Sequence, residues 1–170
     1  MTMSISRAAL GSLLGALLAF TGPVQALEAP TGPVILKVSG KLAHANVGDE
    51  AHFDRAMLHS LEQHETVTNT PWYDSRVSFE GPLGRALLEA VGAEGDSLRI
   101  RALNDYAASV PVEDFMAHDV ILAMSADGRP LRVRDHGPLF VIYPFDDKPE
   151  LLNEEILFRS VWQVNRIEIE

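Results

Sequence analysis

The 170-residue sequence contains no cysteine. That absence removes disulfides, thiolate metal ligands, cysteine nucleophiles and iron–sulfur clusters from consideration together. Cations are also scarce: only 14 residues are Lys or Arg against 24 Asp or Glu. Lysine occurs three times, as Lys37, Lys41 and Lys148. A surface with this acidic excess repels phosphate backbones and anionic lipid, so nucleic acid is a poor partner and a neutral or cationic small molecule, or another protein, a better one. No G-x-S-x-G elbow and no Gly-rich phosphate loop is present. "GPLGRA" opens a helix, but Pro82 removes a backbone donor where an anion would be gripped.

Long apolar runs are missing except near the start. Met1 to Arg7 carries one positive charge, Ala8 to Phe20 is apolar, and Val24-Gln25-Ala26 has the small-x-small form of a cleavage site. This is the pattern of a secretory signal peptide over residues 1–26, too short in its apolar part to span a bilayer. Cleavage after Ala26 leaves residues 27–170 as a single exported domain. Arg7 leaves with the peptide, so 13 Lys and Arg then face 24 Asp and Glu, a net charge of −11.

Along that domain the periodicity predicts a strand at 33–39 and a helix from about Glu50 to His64, capped by Asp49, with Phe53, Met57 and Leu61 on one face. A polar, aromatic loop follows. A helix over 82–91 ends at Gly92. A half-exposed strand covers 97–103, extended chain 106–111, a short helix 112–117 and a buried strand 120–125. Asp127-Gly128 turns the chain into 130–134. A strand at 138–143, a helix at 149–157 and a last strand at 161–169 complete an α+β fold, because strands and helices mix without strict βαβ alternation.

His44, His52, His59 and His64 crowd the first helical region, but their spacings do not put two imidazoles on one ion, so no metal site is expected. The paired acids Glu113-Asp114, Asp146-Asp147 and Glu154-Glu155 read as solvated surface. Two segments stand out. One is the loop with Thr70, Trp72, Tyr73 and Arg76. The other is "VRDHGPLFVIYP", residues 133–144, where Arg134, Asp135 and His136 gather at a turn.

Taken in order, four pieces carry a resemblance: "VSFEGPLGRALLEAVGA", "RIRALNDYAASVPVEDFMAHDVILAMSADGRPL", "HGPLFVIYP" and "SVWQVNRIEI". Together they resemble the sulfite-oxidase-type (oxidoreductase molybdopterin-binding) domain over about Val34 to Ile169. The resemblance implies that fold, a single mixed-sheet domain. Its enzymes hold molybdenum through a cysteine in the loop matching residues 66–78, where this chain has Thr68, Asn69 and Thr70. Their arginine after "HG-P-L" is Phe140 here. The chain therefore resembles most the small, secreted, cysteine-free members, the PruR-like periplasmic pterin-binding proteins.

That resemblance implies a reduced pterin as ligand, no molybdenum and no catalysis. It also implies a partner in the periplasmic domain of a membrane-bound signalling protein, a cyclic-di-GMP enzyme or a sensor kinase. The pterin ring would stack on Trp72, Tyr73 or Tyr106. Asp105 or Asp135 would meet its pyrimidine edge, and Arg76 or Arg134 its carbonyl. Thr70 and His136 lie on the same loops, and Arg159 and Trp162 flank the pocket where the enzymes have a lysine–tryptophan pair. The alternative is a molybdopterin-dependent oxidoreductase with a non-cysteine metal ligand. A third is a plain binding module whose old pocket is filled by its own side chains.

Overall fold

A computed structural model describes residues 27–170. The signal peptide expected over 1–26 lies outside the described residues. Among those described, no helix is long and apolar enough to cross a membrane.

The main sheet has the order β2-β1-β11-β5-β6. Its strands are β1 (Val34–Gly40), β2 (Ala51–Asp54), β5 (Ser97–Ala102), β6 (Ala107–Pro111) and β11 (Val164–Ile169). Only the central β1–β11 pair is parallel, joining the two ends of the described chain. Period-2 alternation sends Leu36, Val38, Leu98, Ile100 and Ala102 to one face, fully or almost fully buried. The opposite face carries Lys37, Arg99, Arg101 and Arg166. In β11 the alternation skips at a register shift between Val164 and Arg166, so that Val164, Ile167 and Ile169 all reach the core.

Four helices pack on the buried face or close its ends: α1 (Arg55–Ser60), α2 (Gly84–Val91), α3 (Val112–Ala117) and α4 (Glu154–Arg159). The second sheet, β3-β4-β8-β9, comprises β3 (Gln63–Thr68), β4 (Val77–Pro82), β8 (Ser125–Ala126) and β9 (Arg129–Pro130). Between the two sheets' cores runs a ribbon of β7 (Ile121–Ala123) and β10 (Phe140–Ile142). Leu122 and Val141 belong to the large core; Ile121, Ala123, Phe140 and Ile142 belong to a smaller one with Val77, Phe79, Leu83 and Leu131. Both faces of this ribbon are dry, which is why its sequence is continuously apolar. The mixed α+β architecture is the one expected.

Three expectations are corrected. The helix expected over 50–64 is β2, the six-residue α1, and the start of β3. Asp54, not Asp49, caps it: its carboxylate accepts from Met57 N at 2.9 Å and also from Thr31 N at 2.9 Å and Gly32 N at 2.8 Å. The loop expected to follow begins and ends as the β3–β4 hairpin, whose connection is residues 69–76. The strand expected at 130–134 is two residues of β9 and a 3-10 turn at Val133–Asp135. Other bounds shift: the helix expected at 149–157 is a 3-10 turn at Pro149–Leu151 and then α4, and the last strand begins at Val164; the remaining elements match closely. α3 falls on 112–117, Gly92 ends α2 in the left-handed conformation (φ 60), and Asp127 (φ 47) with Gly128 (φ 68) makes the two-residue turn.

Two outcomes follow. β4 crosses β7 so closely that a Cβ at Gly81 would lie 2.1 Å from the Leu122 carbonyl oxygen. Gly81→Ala should destabilise the fold by about 3 kcal/mol, because backbone cannot yield as a side chain does, and urea unfolding measures it. The hydrogen bonds from Met57 N, then Gly32 N, hold the Asp54 carboxyl below its ordinary value. A carboxyl depressed in the folded state stabilises at neutral pH and loses that contribution as pH falls through its folded value. Asp54→Ala should therefore lower stability near neutrality and show a smaller further loss on acidification than the parent, read from urea midpoints across an acid pH series.

Candidate functional site

The chain brings aromatic rings together where loop 69–76, the turn after β5, α4 and the entry to β11 meet. Trp72 packs edge-on to Phe140 (centroids 5.1 Å) and to Trp162 (5.9 Å). Phe140 in turn contacts Phe79, His136 and Trp162. Such offset and edge contacts are the favourable geometries for aromatic quadrupoles. An isolated bridge between Phe140 and Trp162 ties β10 to the segment leading into β11. His136 sits in the left-handed region (φ 73), and its carbonyl accepts from Gln163 N at 2.8 Å. Burial lowers the pKa of this imidazole, against the opposing charge of Asp135. The neighbouring Tyr73 hydroxyl lies 3.4 Å from His136 Nδ1, and burial first, then Asp135 and Asp127, raise its pKa.

In front of this cluster is a cavity of about 390 Å³. Pro71, Trp72 and Trp162 form one side, and Ala102, Asn104 and Tyr106 a second; Leu157 and Phe158 of α4 close it, with Glu154 and Ser160 at its margins. The volume is that of a small-molecule site. No Lys or Arg lines it. The Tyr106 hydroxyl donates to the Phe158 carbonyl at 2.9 Å, joining two walls. Tyr106, Phe158 and Trp162 remain exposed at its mouth. Next to Pro71 but outside the lining, the Thr70 hydroxyl is buried without a hydrogen-bond partner, as is that of Thr66.

Of the residues singled out from sequence, Trp72, Tyr106 and Trp162 line the cavity, with Thr70 and His136 directly behind it. The charged ones do not converge there, for local reasons. Arg76 is bonded to Asp146 (3.0 Å) and to the Val67 carbonyl (3.1 Å). Asp105, in a left-handed turn (φ 65), lines a separate polar groove with Arg101 and Arg166 on the outer sheet face. Asp135 is held by Arg132 at 2.6 Å and lines a cleft of about 740 Å³ with Tyr73 and Arg129. Arg134 points to solvent, its side chain 71% exposed. Arg159, the last residue of α4, donates to Asp114 at 3.0 Å and also pairs with Glu155. Asp114 accepts as well from the Tyr143 hydroxyl at 2.8 Å, and burial drives the Tyr143 pKa far upward. Asn104, Phe158 and Asp146 were not singled out. Asn104 and Phe158 flank "DY" and "RS" segments that were, while Asp146 looked like surface solvation.

The family is fixed by direct comparison. The oxidoreductase molybdopterin-binding domain matches residues 49–145. The chain belongs to this family. It is thus an oxidoreductase-type, molybdopterin-binding domain of sulfite-oxidase fold. Among solved structures it is similar to the crystal structure of the sulfane dehydrogenase SoxCD from Paracoccus pantotrophus, with a TM-score of 0.60 and 21% identity. That match covers 79% of this chain but only 37% of the other, and at this identity it speaks to the fold alone. No curated protein matches the chain significantly.

The family's cofactor combines a pterin, a phosphate-bearing tail and a metal. The side chains at this cavity suit only the first. The sequence has no thiolate to offer. Among the described residues, no group of three His, Asp or Glu side chains converges as a metal site. The cavity wall has no cation for a phosphate, and Phe140, behind Trp72 and Trp162, is buried and uncharged. A flat, uncharged ring between Trp72, Tyr106 and Trp162 does fit, with Asn104 as an amide at its edge.

Arg159 should prove structural. Its side chain is only 19% exposed and Asp114's 12%. Arg159→Met should cost about 3 kcal/mol in urea unfolding by stranding a buried carboxylate, and Arg159→Met with Asp114→Asn should recover part of that loss.

Proposed function

We propose that this protein is a non-catalytic, periplasmic binding protein for a reduced pterin. One observation carries the reading: an apolar cavity walled by Trp72, Tyr106 and Trp162, without cation or thiolate, in a domain whose family binds molybdopterin. Two indoles and a phenol offer a bicyclic ring faces and edges to pack on, and Asn104, whose Oδ1 accepts from Tyr106 N at 3.1 Å, keeps its Nδ2 to donate to a ring edge. The acidic balance of the chain is compatible with a ligand that has no phosphate. Export follows from the expected signal peptide. The partner we propose, by resemblance, is the periplasmic domain of a membrane-bound cyclic-di-GMP enzyme or sensor kinase. The apolar lips of the cavity, Tyr106, Phe158 and Trp162, support a partner that senses occupancy at the mouth.

The second reading, an oxidoreductase with a non-cysteine molybdenum ligand, is favoured by family membership. Elemental analysis of protein purified from its native compartment separates the two, since stoichiometric molybdenum would establish the enzyme.

Anaerobic titration of residues 27–170 with a tetrahydropterin, followed by calorimetry and tryptophan fluorescence, should show saturable binding with quenching, because both tryptophans of the chain line the cavity. Trp72→Ala and Trp162→Ala should each weaken it about tenfold, the size of a lost ring-stacking contact. Absence of binding to folded wild-type protein would sink the proposal.

A further inference from the structure

The Trp72 wall is carried by an eight-residue hairpin loop, 69–76, and a single carboxylate meets the first and the last residue of that loop. Asp146 Oδ1 accepts from Asn69 N at 3.1 Å. Its Oδ2 accepts from Asn69 Nδ2 at 3.0 Å and forms an ion pair with Arg76 Nε at 3.0 Å. Asp146 is itself anchored: its N–H donates to the Thr68 hydroxyl at 3.0 Å, and the preceding Phe145 is buried in the large core. Burial works to raise the Asp146 carboxyl, and the Asn69 and Arg76 contacts outweigh it, holding the group below the ordinary carboxylate value.

An ion pair as open as this one, with the Arg76 side chain 56% exposed, adds little to global stability. Its effect is local. The β3–β4 ladder already joins the ends of the loop through Thr68 and Val77. The Asp146 contacts instead fix which way the loop leans, toward the segment after β10 and so over the cavity. Without them, Trp72 keeps its edge contacts with Phe140 and Trp162 and its packing against both cores, but the two ends of the loop lose their shared anchor on the segment after β10.

We propose that Asp146 is a positioning residue for the ligand cavity: with Asn69 and Arg76 it latches the loop that places Trp72. The role of Arg76 is then to hold the loop rather than to touch the ligand. The consequence for binding rests on the pterin reading above; the latch itself does not. A ligand that binds only the latched loop loses affinity in proportion to the latched fraction.

The test reads Trp72 directly. In a Trp162→Phe background Trp72 is the sole tryptophan. There Asp146→Ala should shift its emission to longer wavelength and raise acrylamide quenching, with Tm close to the parent's. Arg76→Met, which leaves the Asn69 contacts in place, should do the same to a smaller extent, and the two together should do little more than Asp146→Ala alone, because that change already removes the ion pair. Asp146→Glu, which keeps the carboxylate, should restore part of the parent signal. With Trp162 present, Asp146→Ala should raise the Kd for a tetrahydropterin about tenfold. Unchanged Trp72 emission and quenching in folded Asp146→Ala and Arg76→Met proteins would overturn the proposal. If wild-type protein binds no tetrahydropterin, the pterin reading falls, and the Trp72 spectra still decide the latch.

Discussion

Phe140 contacts four rings at once: Trp72, Phe79, His136 and Trp162. The rest of the site depends on this packing. The β7–β10 ribbon lies between two cores, and its period-2 alternation gives Val141 to one and Phe140 to the other. Phe140 therefore stands at the end of the smaller core, where the ribbon meets the hairpin loop and the entry to β11. In the enzymes that the sequence resembles, the corresponding residue is an arginine. A guanidinium buried there needs an anion to meet it. A phenyl ring needs only neighbours of its own kind, and the chain supplies them. Phe140 thus gives Trp72 and Trp162 an aromatic neighbour and brings no charge to the site.

The fold was legible where the buried pattern was simple. The alternation in "SLRIRAL", the Gly92 stop and the Asp127-Gly128 turn each reflect a local rule that tertiary contacts leave intact. It was not legible over 50–68. Phe53, Met57 and Leu61 repeat every four residues and imitate one helical face. Ala51 and Phe53, however, alternate around His52, and that two-residue period pairs β2 with β1. β3 is an edge strand whose only buried residues are Thr66 and Thr68, so its polar composition hid a strand inside an apparent loop. Hydrophobicity cannot reveal a strand whose inward face is threonine.

The candidate site divides in the same way. The aromatic residues were legible because a tryptophan and two tyrosines on loops have few reasons to be there other than a shared surface. The charged residues were misleading because a charge in a sequence does not show its partner. Arg159 meets Asp114 across 45 positions, and Asn69 meets Asp146 across 77. Arg132, three residues before Asp135, and Glu155, four before Arg159, were the partners within local reach. Once paired, these side chains are spent on holding helices and loops, and little charge is left to face the cavity.

This allocation shapes how the cavity works. α4 is fixed from below by Arg159, Asp114 and Tyr143, the turn after β5 is tied to α4 by Tyr106, and Trp72 leans on Phe140. None of these contacts needs a ligand to form. A wall built in advance removes the ordering cost that a loose loop would impose on binding, so shape and ring faces alone can supply affinity. The same economy limits what the site accepts. With no Lys or Arg in its lining, the cavity has nothing to offset the desolvation of a phosphate, whereas apolar ring faces are buried there at no such penalty.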